Sequence, residues 1–167
     1  LALQKVVEHQ GLQRPFETSS QFYALLEFEQ FDDSAMDKAM AKQVVAAAGI
    51  PQARYRAFAE HEMTPGLPRQ LADELGLPVF VKPANMGSSV GVSKANSVEE
   101  LRGAIDYALT YDEWVVVEEA IAGREIEFAV LGDRNPQVSG PGEIRPGATF
   151  YSYADKYETD AAELVID

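Results

Sequence analysis

The sequence predicts an α+β fold in which antiparallel sheets carry flanking helices. Hydrophobic periodicity gives the order helix, helix, strand, loop, strand, helix, strand, strand. The strands fall into two hairpin-like pairs, one around Gly87–Gly91 and one around Gly123. That pattern favours antiparallel pairing over a doubly wound parallel sheet. The 167 residues, 46% of them hydrophobic, suit one domain or most of one.

Residues 1–33 read as two helical pieces around Gly11–Pro15, the second with a partial stripe of Phe22, Leu25, Leu26 and Glu29. Residues 1–34 are therefore set apart as a helical segment, and 35–167 as the domain. Ser34 to Asp37 resembles a capping-box start for a helix with Met36, Met40, Val44 and Val45 at helical spacing, stopped by Gly49 and Pro51. Leu67, Leu71 and Leu75, followed by Gly76, mark another helix. Ser97-Val-Glu-Glu100 is a capping box opening a helix with Leu101, Ile105, Ala108 and Leu109 on one face. Trp114–Glu118 and Glu125–Leu131 read as strands, and Gly132–Asn135 as a turn. Gly140–Gly147 reads as a loop and Thr149–Thr159 as an aromatic, charged segment. The chain opens on Leu1 without a methionine and closes at Glu163–Asp167 as if in mid-strand, which predicts a fold incomplete at both ends.

Pro78-Val-Phe-Val-Lys82-Pro-Ala is the chemically informative stretch. Proline-bounded Val, Phe and Val predict a buried strand. A lysine inside it must reach water or an anion, because burying an unpaired ammonium is costly. The following Asn85-Met-Gly-Ser-Ser-Val-Gly91 turn offers glycines and hydroxyls that suit an anion. An ordinary hairpin whose lysine snorkels to solvent explains the same residues equally well. No G-x-x-x-x-G-K-[ST] sequence occurs, so a P-loop is excluded. Lys38, in the first turn of its helix, reads in isolation as a surface lysine.

Composition removes several classes. With 14 Lys and Arg against 27 Asp and Glu, the charge is −13, a poor basis for binding nucleic acid or an anionic membrane. The absence of cysteine excludes disulfides, thiolate metal sites and thiol nucleophiles, and suits the cytoplasm. No apolar run reaches the ~20 residues of a membrane helix, and the N-terminus lacks a signal-peptide pattern. His9 and His61 read as surface residues.

Taken in order, Met36-Asp-Lys38, Pro78–Ala84, Gly87-Ser-Ser-Val-Gly-Val-Ser-Lys94, Val117-Glu-Glu119, Gly123-Arg-Glu-Ile-Glu127, Ala129–Gly132 and Thr149–Tyr157 closely resemble the central ATP-binding part of D-alanine–D-alanine ligases, of the ATP-grasp superfamily. The resemblance spans 35–157. It implies an ATP-grasp-type fold, here an incomplete copy. It further implies that Lys38 and Lys82 hold ATP phosphates, and that Gly87, Ser88, Ser89 and Val90 form the loop closing over them, with Ser88 also orienting substrate. Glu118, Glu119, Ala120 and Ile121 match the strand reading adenine, Glu118 accepting from its exocyclic amine. Glu125 matches the ribose carboxylate, and spacing permits Glu118 and Glu125, seven apart around a glycine turn, to face one cleft. Lys156 matches the lysine reaching the transferred phosphate, and Tyr157 the tyrosine bonding the loop serine.

The implied reaction is ATP-dependent formation of D-alanyl-D-alanine through an acyl phosphate, for peptidoglycan precursors. ATP and Mg²⁺ are the implied cofactors, with a cytoplasmic homodimer as the whole protein. The Lys-Tyr pair favours an amide product, since depsipeptide-forming relatives tend to carry histidine in that loop. Two things depart from the pattern. The family's substrate-side N-terminal domain, its Mg²⁺-binding Asp, Glu and Asn, and its intermediate-steadying arginine are not seen, so no metal ligand is assigned. Met86 also stands where a charged or small residue is usual. Another ATP-grasp carboxylate–amine ligase, a D-alanine–D-lactate ligase and a non-catalytic nucleotide-binding module are the alternatives.

Overall fold

A computed structural model describes residues 38–132, 135–147, 150–158 and 162–166. The segment 1–34 and the predicted helix start at 34–37 lie outside them. The described residues form two compact units that divide after Ile121.

The first unit is built on a four-stranded sheet of order β1-β4-β2-β3, antiparallel throughout. Its elements run α1 (Lys38–Ala47), β1 (Tyr55–Ala59), a 3-10 turn (Glu60–Glu62), α2 (Leu67–Leu75), β2 (Val79–Pro83), β3 (Ser93–Ala95), α3 (Val98–Leu109) and β4 (Trp114–Glu119). Alternation sorts the strand residues onto two faces. Val79, Val81, Val115, Val117 and Phe58 point to one face, where Leu71 and Leu75 of α2 and Leu101, Ala104, Ile105 and Ala108 of α3 complete the core. Phe80, Lys82, Val116, Glu118, Tyr55 and Ala57 belong to the opposite face. Burial of aliphatic side chains on the helix side is the main stabilising term, worth ~1.5–3 kcal/mol for each fully buried one. Ile105, fully buried, is the natural probe. Ile105→Ala is expected to destabilise by ~2–5 kcal/mol, seen as a lowered urea midpoint.

The second unit holds β5 (Glu125–Glu127), β6 (Val130–Leu131), β7 (Gln137–Val138), β8 (Gly142–Arg145), α4 (Tyr153–Tyr157) and β9 (Glu163–Ile166). A three-stranded antiparallel sheet of order β5-β8-β9 and a separate β6-β7 hairpin make it up. Exposed Arg145 on β8 bridges the cross-strand Glu163 at 3.2 Å and Glu143 at 3.5 Å.

The α+β class and its antiparallel pairing stand, with corrections. β1 is a strand that periodicity did not mark. The second hairpin does not form, because β4 pairs with β1 and β2 whereas β5 pairs with β8. Glu125–Leu131 is two strands in two sheets. The Pro/Gly-rich loop contains β8, its prolines falling just outside the paired residues, where a missing N–H costs no ladder bond. The predicted stripe of α1 is also displaced: Val45 is buried as expected, but Met40 and Val44 are exposed, and Ala41 is buried in their place. At α3 the Ser97 hydroxyl caps the Glu100 N–H at 3.1 Å as predicted. The Glu100 carboxylate, however, bonds the Asn96 N–H at 2.8 Å rather than the cap residue.

Candidate functional site

Register places the site on the sheet face away from the α2–α3 core. Phe80 lies opposite Glu118 across β2–β4, with Lys82 two residues further along β2 on the same face. Tyr55 lies opposite Glu118 on the other side. Lys82 meets the Glu118 carboxylate directly, its ammonium against Oε1. The lysine in the apolar run therefore has an anion, and the snorkelling alternative fails: its side chain is only 13% exposed.

A second lysine meets the same carboxylate. Lys42 on α1 places Nζ 2.7 Å from Glu118 Oε2. Among the described residues Oε2 accepts no aligned hydrogen bond, and the Lys42 contact is an ion pair by distance. The Lys42 ammonium also sits 4.9 Å from the Tyr55 ring centre, a cation–π distance. Sequence reasoning missed Lys42. Its signal was position: it lies one turn after Lys38, between the buried Ala41 and Val45. Lys38 opens α1, and its side chain is outside the described residues. Lys94 on β3, paired with Phe80 across the sheet, adds a third ammonium 5.7 Å from that ring.

Glu118 is 5% exposed. Burial pushes its carboxyl up, and the Lys82 and Lys42 charges more than offset this, leaving it below its usual 4.5. A carboxyl depressed in the folded state contributes stability above its unfolded value and loses it as pH falls through the folded one. Stability is therefore expected to drop on acidification below about pH 4.5, and more steeply than in Glu118→Gln. Urea midpoints from pH 7 to 3 test this, and equal slopes for the two proteins would contradict it.

Glu119 serves the other face. Its carboxylate accepts from the Arg54 backbone N–H at 2.9 Å and from Arg54 Nε at 2.8 Å. The Arg54 N–H bond chiefly holds its carboxyl low. The same guanidinium caps α2 through the carbonyls of Glu74 and Leu75. The Glu119 side chain is thus committed to Arg54. Ala120 donates its N–H to Pro78 O at 3.0 Å, and Ile121 is exposed.

Between β2 and β3 the small-residue loop turns through Gly87–Val90, closed by the Val90 N–H on Gly87 O at 3.0 Å. Ser88 and Ser89 both hold left-handed backbone, φ 50° and 60°. Such conformations cost of order 1–3 kcal/mol each without glycine and concentrate at functional segments. The loop is pinned at both ends by adjacent residues. Asp112 accepts from the Asn85 N–H at 2.6 Å and, through its other oxygen, from the Trp114 N–H at 3.0 Å. Tyr111 and Pro83 pack so closely on Gly91 that a Cβ there would lie 2.8 Å and 2.6 Å from them.

In the second unit, Glu125 begins β5, half-buried. Lys156 lies in α4 with Nζ 4.9 Å from the Tyr151 ring centre, and the Tyr157 side chain is outside the described residues.

The first unit is thus an antiparallel α+β unit with lysines clustered on one sheet face and a strained small-residue loop between β2 and β3. The family description "D-ala D-ala ligase C-terminus" matches residues 44–167. The chain belongs to that family. It is 50% identical over 136 residues to a D-alanine–D-alanine ligase of Bacillus velezensis, covering 80% of this chain and 38% of that protein. To the Streptococcus thermophilus ligase it is 46% identical over 123 residues, covering 74% and 35%. Among solved structures it is similar to the Coxiella burnetii D-alanine–D-alanine ligase, with TM-score 0.58, 38% identity and coverage of 65% and 32%. It is likewise similar to the VanG D-Ala:D-Ser ligase of Enterococcus faecalis, with TM-score 0.66, 33% identity and coverage of 79% and 39%. The chain thus spans less than two-fifths of the length of these relatives.

Proposed function

We propose that the chain supplies the ATP-phosphate site of a ligase joining two D-alanines, in which ATP activates one carboxylate as an acyl phosphate. The observation that carries this is the lysine cluster around Glu118 beside the strained Gly87–Val90 loop. A chain of net charge −13 has gathered Lys42 and Lys82 against the buried Glu118 carboxylate, with Lys94 beside the Phe80 ring on the same sheet face. That surplus of positive charge suits a polyanion, and fixed cations aimed at phosphoryl oxygens are the main service a protein gives phosphoryl transfer.

In this reading Lys38 and Lys82 bind phosphate oxygens. Gly87, Ser88, Ser89 and Val90 cover them and exclude the water that would hydrolyse an acyl phosphate. Glu118, Ala120 and Ile121 take the adenine, with Glu119 contributing its strand backbone alone, Glu125 takes the ribose hydroxyls, Lys156 the transferred phosphate, and Tyr157 steadies the loop. Among the described residues no group of three or more His, Asp or Glu side chains gathers to hold a metal ion, so these residues do not fit the Mg²⁺ that the family implies. A cytoplasmic homodimer is the proposed context. No described helix is long and apolar enough to cross a membrane.

The acceptor is open to a second reading, because VanG, a D-Ala:D-Ser ligase, is also similar to this chain. Mass spectrometry of products formed by the intact protein from ATP, D-alanine and competing D-serine or D-lactate decides it. Dominant D-alanyl-D-alanine with matching ADP release is expected. Release of ADP that does not depend on D-alanine would overturn the reading.

A further inference from the structure

Two ammoniums face one buried carboxylate, although one would neutralise it. They are held differently. Lys42 is fixed by the Glu118 carboxylate, by the Tyr55 ring and by α1, whose Lys42 carbonyl accepts from Gln52 Nε2 at 2.8 Å. Lys82 meets the same carboxylate and has the Phe80 ring centre 5.8 Å away, but it sits on β2 three residues before Asn85, at the mouth of the phosphate loop. We propose that the phosphate site loads by counter-ion exchange: Lys82 passes from Glu118 to the incoming phosphate, and Lys42 stays behind as the standing partner of Glu118. This rests on the phosphate reading above and adds a positioning residue to it.

The physical reason is the asymmetry of buried ion pairs. Removing one partner leaves an uncompensated buried charge, which is strongly unfavourable, whereas a carboxylate with a remaining ammonium is not exposed to that penalty. Without Lys42, phosphate could capture Lys82 only by stranding a carboxylate that is 5% exposed. With Lys42 in place, Lys82 is free to move. Lys42 thereby raises phosphate affinity without touching phosphate.

Calorimetric titration of the intact protein with inorganic tripolyphosphate tests this, the probe lacking a base so that adenine contacts play no part. Lys42→Met is expected to weaken binding about tenfold or more, and Lys42→Arg to retain it. Glu118→Gln, which releases Lys82, is expected to bind as tightly as the unmodified protein or tighter. Lys42→Met combined with Glu118→Gln is expected to bind within about threefold of Glu118→Gln alone, the non-additivity of a coupled pair. Should Lys42→Met alone not fold, the double variant, which has no carboxylate to strand, carries the same comparison. A tenfold loss that persists in the Glu118→Gln background would make Lys42 a direct phosphate ligand and overturn the proposal. So would an unchanged affinity in Lys42→Met. If the unmodified protein binds neither tripolyphosphate nor ATP, the phosphate reading falls, and this inference with it.

Discussion

Lys82→Ala is expected to lower the affinity of the intact protein for ATP about a hundredfold, while the protein stays folded. A hydrogen bond to a charged group contributes ~1.5–3 kcal/mol, and a hundredfold corresponds to ~2.7 kcal/mol. The side chain is 13% exposed, so solvent screens it little. Folding survives for a reason visible in the site: Glu118 keeps Lys42 at 2.7 Å when Lys82 is gone. Thermal melting should therefore move far less than affinity does. A loss under about threefold would mean the lysine serves only its carboxylate.

Gly91→Ala is expected to be the most damaging small substitution in the loop. Gly91 has φ +70°, where an added Cβ costs roughly 1–2 kcal/mol. That Cβ would also sit 2.6 Å from Pro83 Cγ and 2.8 Å from Tyr111 Cδ2, and overpacking adds typically ~1–3 kcal/mol. A loss of ~3 kcal/mol in urea unfolding is the expected sum. Pro83 follows Lys82 directly, so the clash also pushes on the phosphate lysine, and ATP affinity should fall. Gly103→Ala is the control. It lies within α3, where an added Cβ meets no neighbouring group within 4 Å, and the substitution should stabilise by ~0.5–1 kcal/mol. Equal effects at the two glycines would contradict this account of the loop.

Much of the site was legible because it is local. The proline-bounded strand, its lysine and the small-residue turn are contiguous, and the anion demanded by Lys82 is present as Glu118. The helices α2 and α3 were legible from their leucine and Leu101–Leu109 stripes, whose members are buried except the half-buried Leu67 and Leu109. Elements defined by partners were not. β1 reads Tyr-Arg-Ala-Phe-Ala, with no β-branched residue and two alanines, which strands disfavour, and exists as a strand through its pairing with β4. β8 is Gly-Glu-Ile-Arg between two prolines, and only its neighbours β5 and β9 make it a strand. Lys42 was missed on similar grounds. Helical spacing puts Lys38 and Lys42 on one side of α1, but which of them meets Glu118 depends on how α1 lies on the sheet.

The central claim, that this sheet face takes the ATP phosphates, is tested most directly by a crystal structure of the intact protein with a non-hydrolysable ATP analogue. Phosphate oxygens are expected within hydrogen-bond reach of Lys82, under the Gly87–Val90 turn, with Lys42 still on Glu118. An analogue bound elsewhere, with Lys82 left on Glu118, would contradict it.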